Sequence, residues 1–318
     1  MNVVVTGAAG FLGQRLAAAL LDASAPLPVA SLLLVDVSPP GAPGDPRVCA
    51  LALDLAEPGA AERVVRDCHV LFHLAAAVSG RAEAELDLGL RVNFDATRRL
   101  ADAARGREPA VRFVFASSVA VYGSAPGAPP DEAAALGPRT SYGCAKAMAE
   151  LLLQEYSRRG LLDARVVRLP TVSVRGGAPN SAVTSFASGL VREPLAGAAS
   201  VVPVDGALRL WLSSPATVTR NLLLAGALAP GALGERRALN LPGLSVAVRD
   251  MLAALREVAG AAAAARVRFE RDERVERMVA SLPPALDATR ALRLGFVVDE
   301  SFAQIIRQYI AEREAMNV

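Results

Sequence analysis

Short apolar runs alternate with helical periods along the first half of the chain. Val3-Val4-Val5 is a run of the kind buried on both faces of a parallel sheet. A helical pattern from Gln14 to Leu21 follows, then a second run, Leu32-Leu33-Leu34-Val35, ending in Asp36. Prolines and glycines from Ser38 to Pro46 predict a loop, and Val48 to Leu53 a third strand. Val70 to Leu74, Val111 to Ala116 and Val166 to Leu169 read as strands four to six. Between them, Glu83 to Ala104 predicts one long helix and Tyr142 to Arg158 another, with a Pro- and Gly-rich loop over 124–140 able to close over a site. Strands alternating with helices at these lengths predict βαβ units and an α/β fold. After Pro170 the rhythm breaks into short elements. Helices are expected around 216–228, 246–258 and 300–313, with Ser245 and Asp299 as N-caps of the last two. The alanine run at 261–265 is expected to be helical.

The first strand leads directly into Thr6-Gly7-Ala8-Ala9-Gly10-Phe11-Leu12-Gly13. Glycines at 7, 10 and 13 permit a tight turn and a close approach of backbone to a pyrophosphate, which would face the N–H groups and dipole of the next helix. The strand-to-helix context is the one this motif requires. It makes the sheet a Rossmann-type, doubly wound parallel one. Asp36 falls 23 residues after Gly13, the place of a carboxylate that holds the adenosine ribose hydroxyls. A carboxylate there repels a 2′-phosphate, and the next arginine is Arg47, so NAD is favoured over NADP. Asp54-Leu55 fits the adenine edge or the cap of the next helix. Leu74 and the small residues Ala75-Ala76-Ala77 let backbone lie against a flat cofactor. Asn93 is read as facing inward with Thr97, and His73 as a satisfied core histidine.

Composition narrows the class. The net charge is +2, with no basic stripe for nucleic acid or an anionic membrane. The chain enters an apolar strand at Val3 without a basic leader, and no apolar run reaches the roughly 20 residues that span a bilayer. Three cysteines without metal spacing fit reduced thiols in a cytoplasm. Of the 34 basic residues, one is lysine, Lys146, four positions after Tyr142. On a helix this spacing puts both on one face, about 6 Å apart at Cβ. A cation at that range is expected to lower the tyrosine pKa and fit it for proton exchange with an alcohol. Ser118, at the carboxyl end of the fifth strand, is placed to donate a hydrogen bond to a substrate oxygen, and Ser117 reads as a turn cap.

Thr6-Gly7-x-x-Gly10-x-x-Gly13 with Ser118, Tyr142 and Lys146, in this order over residues 1 to about 170, resembles the extended short-chain dehydrogenase/reductase family, also called the NAD-dependent epimerase/dehydratase family. The resemblance implies NAD as cofactor. It makes Tyr142 the catalytic acid/base, gives Lys146 the nicotinamide ribose and the tuning of Tyr142, and leaves Ser118 to position the substrate. With it go contacts to the cofactor from Gly7, Ala9, Gly10, Phe11, Leu12, Asp36, Asp54, Leu55, Leu74, Ala75, Ala76, Asn93 and Pro170. It further implies an NAD-binding domain over 1–170, a smaller C-terminal substrate portion over 171–318 interleaved with it, and a homodimer through helices near 84–104 and 142–158.

Within the family, Val119-Ala120 after Ser118 replaces the acidic pair of the dehydratases. Arg168 to Arg175 and Leu208 to Pro215 replace the stretches that grip a nucleotide-sugar diphosphate. These departures, with Leu286-Asp287-Ala288-Thr289-Arg290 and Leu294-Gly295-Phe296, resemble the branch that oxidises a four-carbon sugar acid, D-erythronate. The expected activity is oxidation of the C2 hydroxyl of such an acid to a 2-keto acid; the alternative is a UDP-sugar 4-epimerase with tightly held NAD. Arg175 is the candidate for the substrate carboxylate, since arginine holds one bidentately. Asn180 could read a hydroxyl, and Ser79 and Thr171 are further substrate candidates.

Overall fold

The computed structural model of the chain describes residues 1–124 and 127–316, Met316 without its side chain, so Ala125 and Pro126 of the 124–140 loop lie outside the described residues. Six strands and six α-helices fill the first 170 residues. They are β1 Asn2–Thr6, α1 Phe11–Leu21, β2 Ser31–Asp36, β3 Val48–Ala52, α2 Ala60–Val65, β4 Val70–His73, α3 Ser79–Ala84, α4 Leu86–Leu90, α5 Ala96–Ala104, β5 Arg112–Ser118, α6 Ser141–Arg158 and β6 Asp163–Leu169. The remainder adds β7 Thr171–Val172, α7 Phe186–Leu195, β8 Ser200–Val202, β9 Arg209–Ser213, α8 Pro215–Ala227, β10 Ala238–Asn240, β11 Leu244–Ala247, α9 Val248–Ala264, β12 Val267–Phe269, α10 Glu273–Ala280, α11 Thr289–Arg293 and α12 Phe302–Met316.

The main sheet has the order β10-β6-β5-β4-β1-β2-β3, and every neighbouring pair in it is parallel. The chain runs outward from β1 through β2 and β3, then returns to its other side with β4. The switch point therefore lies between β1 and β4, and the crevice opens at their carboxyl ends. The strands are apolar runs because both faces are covered. One face packs Val5, Phe72 and Val114 against Leu16 and Leu20 of α1 and Val218 and Leu222 of α8. The other packs Val4, Leu71 and Phe113 against Val64 of α2, Leu100 of α5 and Leu153 of α6. A separate core, with Leu190, Leu210, Met251 and Ile306, joins α7, β9, α9 and α12.

Three expectations are corrected. The helix expected over Glu83 to Ala104 is broken: Glu85 leaves helical geometry (φ −128°, ψ 81°), and a π-helical turn, Arg91–Asp95, separates α4 from α5. Ser245 lies in β11, and α9 starts after Ala247. Asp299 does not cap α12, where the Ser301 hydroxyl accepts the Gln304 N–H at 3.1 Å. Its buried carboxylate instead accepts the Ser213 and Thr217 hydroxyls at 3.0 and 2.7 Å and the Ser214 N–H at 2.8 Å, pinning the start of α8. The segment Leu286 to Arg290 holds the edge strand: Arg290 donates to the Ala238 carbonyl at 2.9 Å, and the Asn240 amide donates to the Asp287 and Pro130 carbonyls at 2.9 and 3.0 Å. That contact draws the 124–140 loop back toward β10. Among its described residues, only Thr140 lines the cleft below.

Candidate active site

Gly7 takes a left-handed backbone (φ +74°), and a Cβ there would lie 2.6 Å from the Ala75 N. Only glycine lets the β1–α1 turn press against the strip after β4. A Cβ on Gly13 would lie 2.1 Å from the Gly7 carbonyl, so α1 packs tightly behind that turn. Gly10 precedes the 11-residue α1 without a side-chain cap. The first N–H groups of this helix are thus open to an anion. At the end of β2, the Asp36 carboxylate accepts the Ala9 N–H at 3.0 Å and the Ser38 N–H at 3.2 Å.

One cavity at this end is lined by Gly7, Gly10, Asp36, Asp54, Leu55, Leu74, Ala75 and Ala76. Asp54 lines this cavity and its carboxylate accepts the Ala56 N–H at 2.8 Å in a local turn; it does not cap the next helix, α2, whose N-cap position is Gly59. Val37, Leu53, Ala77, Arg81, Leu88, Arg91, Val92 and Ala96 also line the cavity. A glycine turn, an open helix end, a strand-end carboxylate and an apolar slot are the features that hold a dinucleotide without a 2′-phosphate. NAD fits this arrangement.

Two of the residues expected to contact the cofactor, Ala9 and Asn93, do not line this cavity. The Ala9 N–H serves Asp36. Asn93 is fully buried, with its amide taken up by Ala77: it accepts the Ala77 N–H at 2.8 Å and donates to the Ala77 carbonyl at 3.0 Å. It shapes the strip beside the cofactor site rather than touching that site. The π-turn presents it, and behind it runs a buried chain. The Thr97 hydroxyl donates to the Asn93 carbonyl at 2.9 Å, so it must accept from His73 Nε2 at 2.9 Å. His73 Nδ1 then accepts the Thr6 hydroxyl at 2.7 Å. Burial, with Lys146 nearby, pushes His73 down to about 3, so the ring stays neutral. It is the satisfied core histidine expected, and it ties the glycine turn to Ala77.

A second cleft, about 340 Å³, adjoins the first cavity through Gly7, Gly10, Leu74 and Ala76. Phe11, Leu12, Ser79, Ser118, Tyr142, Lys146, Pro170, Thr171, Arg175 and Asn180 all line it. Tyr142 stands in the first turn of α6, where Thr140 accepts the Gly143 N–H at 3.1 Å. A Cβ on Gly143 would lie 2.1 Å from the Ala120 carbonyl, so glycine brings this turn onto the end of β5. Ser118, not Ser117, is the turn cap there, accepting the Ala120 N–H at 3.1 Å. The Lys146 ammonium is buried, donates to the Ala116 carbonyl at 2.8 Å and sits 4.5 Å from the Phe115 ring centroid.

The tyrosine pKa moves against expectation. Burial pushes the Tyr142 phenol up to about 12, and the Ser118 hydroxyl pulls only partly the other way. Lys146 does not reverse this, because its ammonium points at a backbone carbonyl, 5.8 Å from the Tyr142 ring centroid. Burial drives Lys146 itself down to about 7. At rest the pair is a protonated phenol beside a lysine near its neutral point.

Across the cleft, the Ser79 hydroxyl accepts the Val183 N–H at 3.2 Å, and a Cβ on Gly80 would meet the Ser181 carbonyl at 2.0 Å. These contacts clamp the start of α3 to the 180–184 segment. Asn180 turns its carbonyl to the Ala182 N–H at 3.1 Å, leaving its amide NH₂ free of that turn. Arg175 is half-buried, and no acid pairs with its guanidinium among the described residues. Thr184 and Leu282 also line the cleft, and no sequence pattern marked them.

Residues 3–219 match the model of the NAD dependent epimerase/dehydratase family. The chain belongs to that family. It is 48% identical over 321 residues to a D-erythronate dehydrogenase of Cupriavidus necator, covering 98% of both chains. It is 46% identical to a D-erythronate dehydrogenase of Haemophilus influenzae, covering 98% of this chain and 99% of the other. Among solved structures it is similar to one described as a nucleoside-diphosphate-sugar epimerase from Agrobacterium tumefaciens, with a TM-score of 0.93, 42% identity, and 99% and 95% of the two chains covered. No helix among the described residues is long and apolar enough to cross a membrane.

Proposed function

We propose that the protein is an NAD-dependent dehydrogenase that oxidises the C2 hydroxyl of a short sugar acid, D-erythronate or a close analogue, to the 2-keto acid. The observation that carries this reading is the cation inventory of the cleft. Lys146 and Arg175 are its only cationic side chains among the described lining residues. Lys146 is committed beneath Tyr142, which leaves one free guanidinium. One guanidinium suits one carboxylate. A nucleotide-sugar diphosphate would call for more, and Arg209, in the stretch that grips it elsewhere in the family, turns to Ser245, donating to its hydroxyl at 3.0 Å. The similarity to two D-erythronate dehydrogenases over nearly the whole chain supports the same substrate class.

In this reading Arg175 anchors the carboxylate and brings the C2 hydroxyl between Ser118 and Tyr142. NAD, held by the glycine turn and Asp36, would supply the hydride acceptor for C2. As the C2–O bond becomes a carbonyl, the hydroxyl proton passes to the Tyr142 oxygen. Ser118 donates to the developing carbonyl oxygen, and Lys146 supplies positive charge behind the phenol. Holding the groups in one cleft supplies geometry, and Tyr142 supplies proton transfer, typically worth about 10²–10⁴ in rate. Because the resting phenol is protonated, oxidation accelerates as pH rises.

The test is NADH formation from NAD or NADP with four- to six-carbon aldonic acids. NAD with a four-carbon acid is expected to react best. No reduced cofactor from any acid, with turnover of UDP-sugars at constant NAD, would replace this reading with the epimerase one. We also propose a cytoplasmic homodimer. Leu86 and Leu151, 56% and 62% exposed on the helices near 84–104 and 142–158, support that pairing.

A further inference from the structure

Below Lys146, α6 carries a third inward-facing polar residue that the reaction does not touch. Tyr142, Lys146 and Glu150 fall at i, i+4 and i+8, one stripe of the helix. Each meets the end of β5. Ser118 faces Tyr142, the Ala116 carbonyl takes the Lys146 ammonium at 2.8 Å, and the Ser117 hydroxyl donates to Glu150. Glu150 is only 4% exposed. Its carboxylate is gripped by Arg168 of β6, whose Nε lies 3.0 and 3.1 Å from the two oxygens and whose Nη2 lies 2.6 Å from one of them. Arg168 donates onward to the Tyr122 hydroxyl, which lies 2.7 Å from the Asp131 carbonyl.

A buried ion pair is a poor device for stability alone, because desolvation offsets most of the attraction. Its position one turn below the catalytic lysine suggests another use. We propose that Glu150, fixed by Arg168 and Ser117, is a positioning residue: it holds α6 in register against β5 and keeps the proton on Lys146. The proposal rests on the catalytic role given to Lys146 above.

The groups facing Lys146 are few. Its own helix supplies Tyr142 and Glu150, β4 the neutral His73, and β6 Arg168, which meets Glu150. From α3, Glu83 meets the Ser141 N–H at 2.9 Å, and α5 meets the far end of α6 through Asp102 and Tyr156. Of these, Glu150 is the group that opposes the effect of burial on Lys146. Removing its charge disfavours the ammonium, so Lys146 would lose its proton at a lower pH.

Lys146 is the sole lysine of the chain, which makes the test direct. Protein made with lysine carrying ¹³C at Cε gives one lysine resonance, and its shift is followed against pH without substrate or cofactor. In the double variant Glu150→Gln with Arg168→Met the midpoint is expected to fall by about one pH unit. With NAD and the sugar acid, the acidic limb of kcat/KM should move to higher pH, since the phenol has lost its cation. Glu150→Asp keeps the charge and should hold the wild-type midpoint. A folded double variant with the wild-type midpoint overturns the proposal, as does Glu150→Asp with the midpoint of the neutral pair. If the first pair fails to fold, Glu150→Met with Arg168→Leu, wholly apolar, is read by the same criteria. The resonance reports on Lys146 whatever the substrate is, so a wrong substrate assignment would leave this result standing.

Discussion

Arg175 holds a guanidinium on the cleft wall with Arg192 behind it, and both burial and that neighbouring charge act against its protonated form. A half-buried cation beside a like charge gains most from an incoming carboxylate. A charge-assisted hydrogen bond of this kind is worth about 1.5–3 kcal/mol. Arg175→Met is therefore expected to raise KM for the acid roughly 10- to 100-fold, leaving KM for NAD near its original value. Equal losses for both ligands, or none for the acid, would move the carboxylate elsewhere. At this scale the sequence exposed residue identities better than their energetics. The Tyr142/Lys146 spacing and the strand-end Ser118 were legible because helical period and strand ends are local properties. The sign of the tyrosine shift was not, because it depends on how fully packing shuts out water and on the Ala116 carbonyl claiming the ammonium. Arg175 could be nominated by type, but its lack of an acidic partner is a fact of three dimensions.

The segment after β4 shows what changes at the level of an element. Apolar positions recur through residues 83–104 at a helical period, so the sequence presents one helix. The break at Glu85 and the π-turn at Arg91–Asp95 come from backbone geometry that period does not encode. Their effect is functional: the extra residue in the turn points Asn93 at Ala77, and π-turns often mark such sites. Asn93→Leu would leave the Ala77 N–H and carbonyl buried and unpaired. The expected cost is about 2–4 kcal/mol of stability. Because Ala77 lines the cavity proposed for the cofactor, KM for NAD should rise while KM for the acid stays near its original value. Thermal unfolding and separate titration of the two ligands check this; an unchanged KM for NAD would reduce Asn93 to a packing role. The Ser245 and Asp299 assignments failed for a related reason. A residue type that favours a cap is also useful at a strand end or a buried junction, and tertiary contacts decided which.

Across the whole molecule, six strands of the main sheet were readable from alternation alone, but their order and the seventh strand were not. β10 is three residues long, lies some seventy residues after β6 in sequence, and carries no periodic signal of its own. It nevertheless closes the sheet edge, and the chain around it covers one face: Val218, Leu222, Leu233, Leu239, Leu241 and Phe296 pack in the same core as Val3, Leu16 and Phe72. A division at residue 170 thus marks a change of rhythm and cuts through a shared core. Burying each such side chain contributes about 1.5–3 kcal/mol. Losing six of them removes an amount comparable to the 5–15 kcal/mol that holds a typical domain folded. Residues 1–170 made alone are therefore expected to show no cooperative thermal transition and no NAD binding, although they carry every glycine, acid and catalytic side chain assigned to the cofactor. A fragment that melts cooperatively and binds NAD would show that the sheet is stable without its C-terminal cover. The full chain, by contrast, should gain about 2.7 kcal/mol at an NAD concentration a hundred times its Kd, because the cofactor binds only the folded crevice.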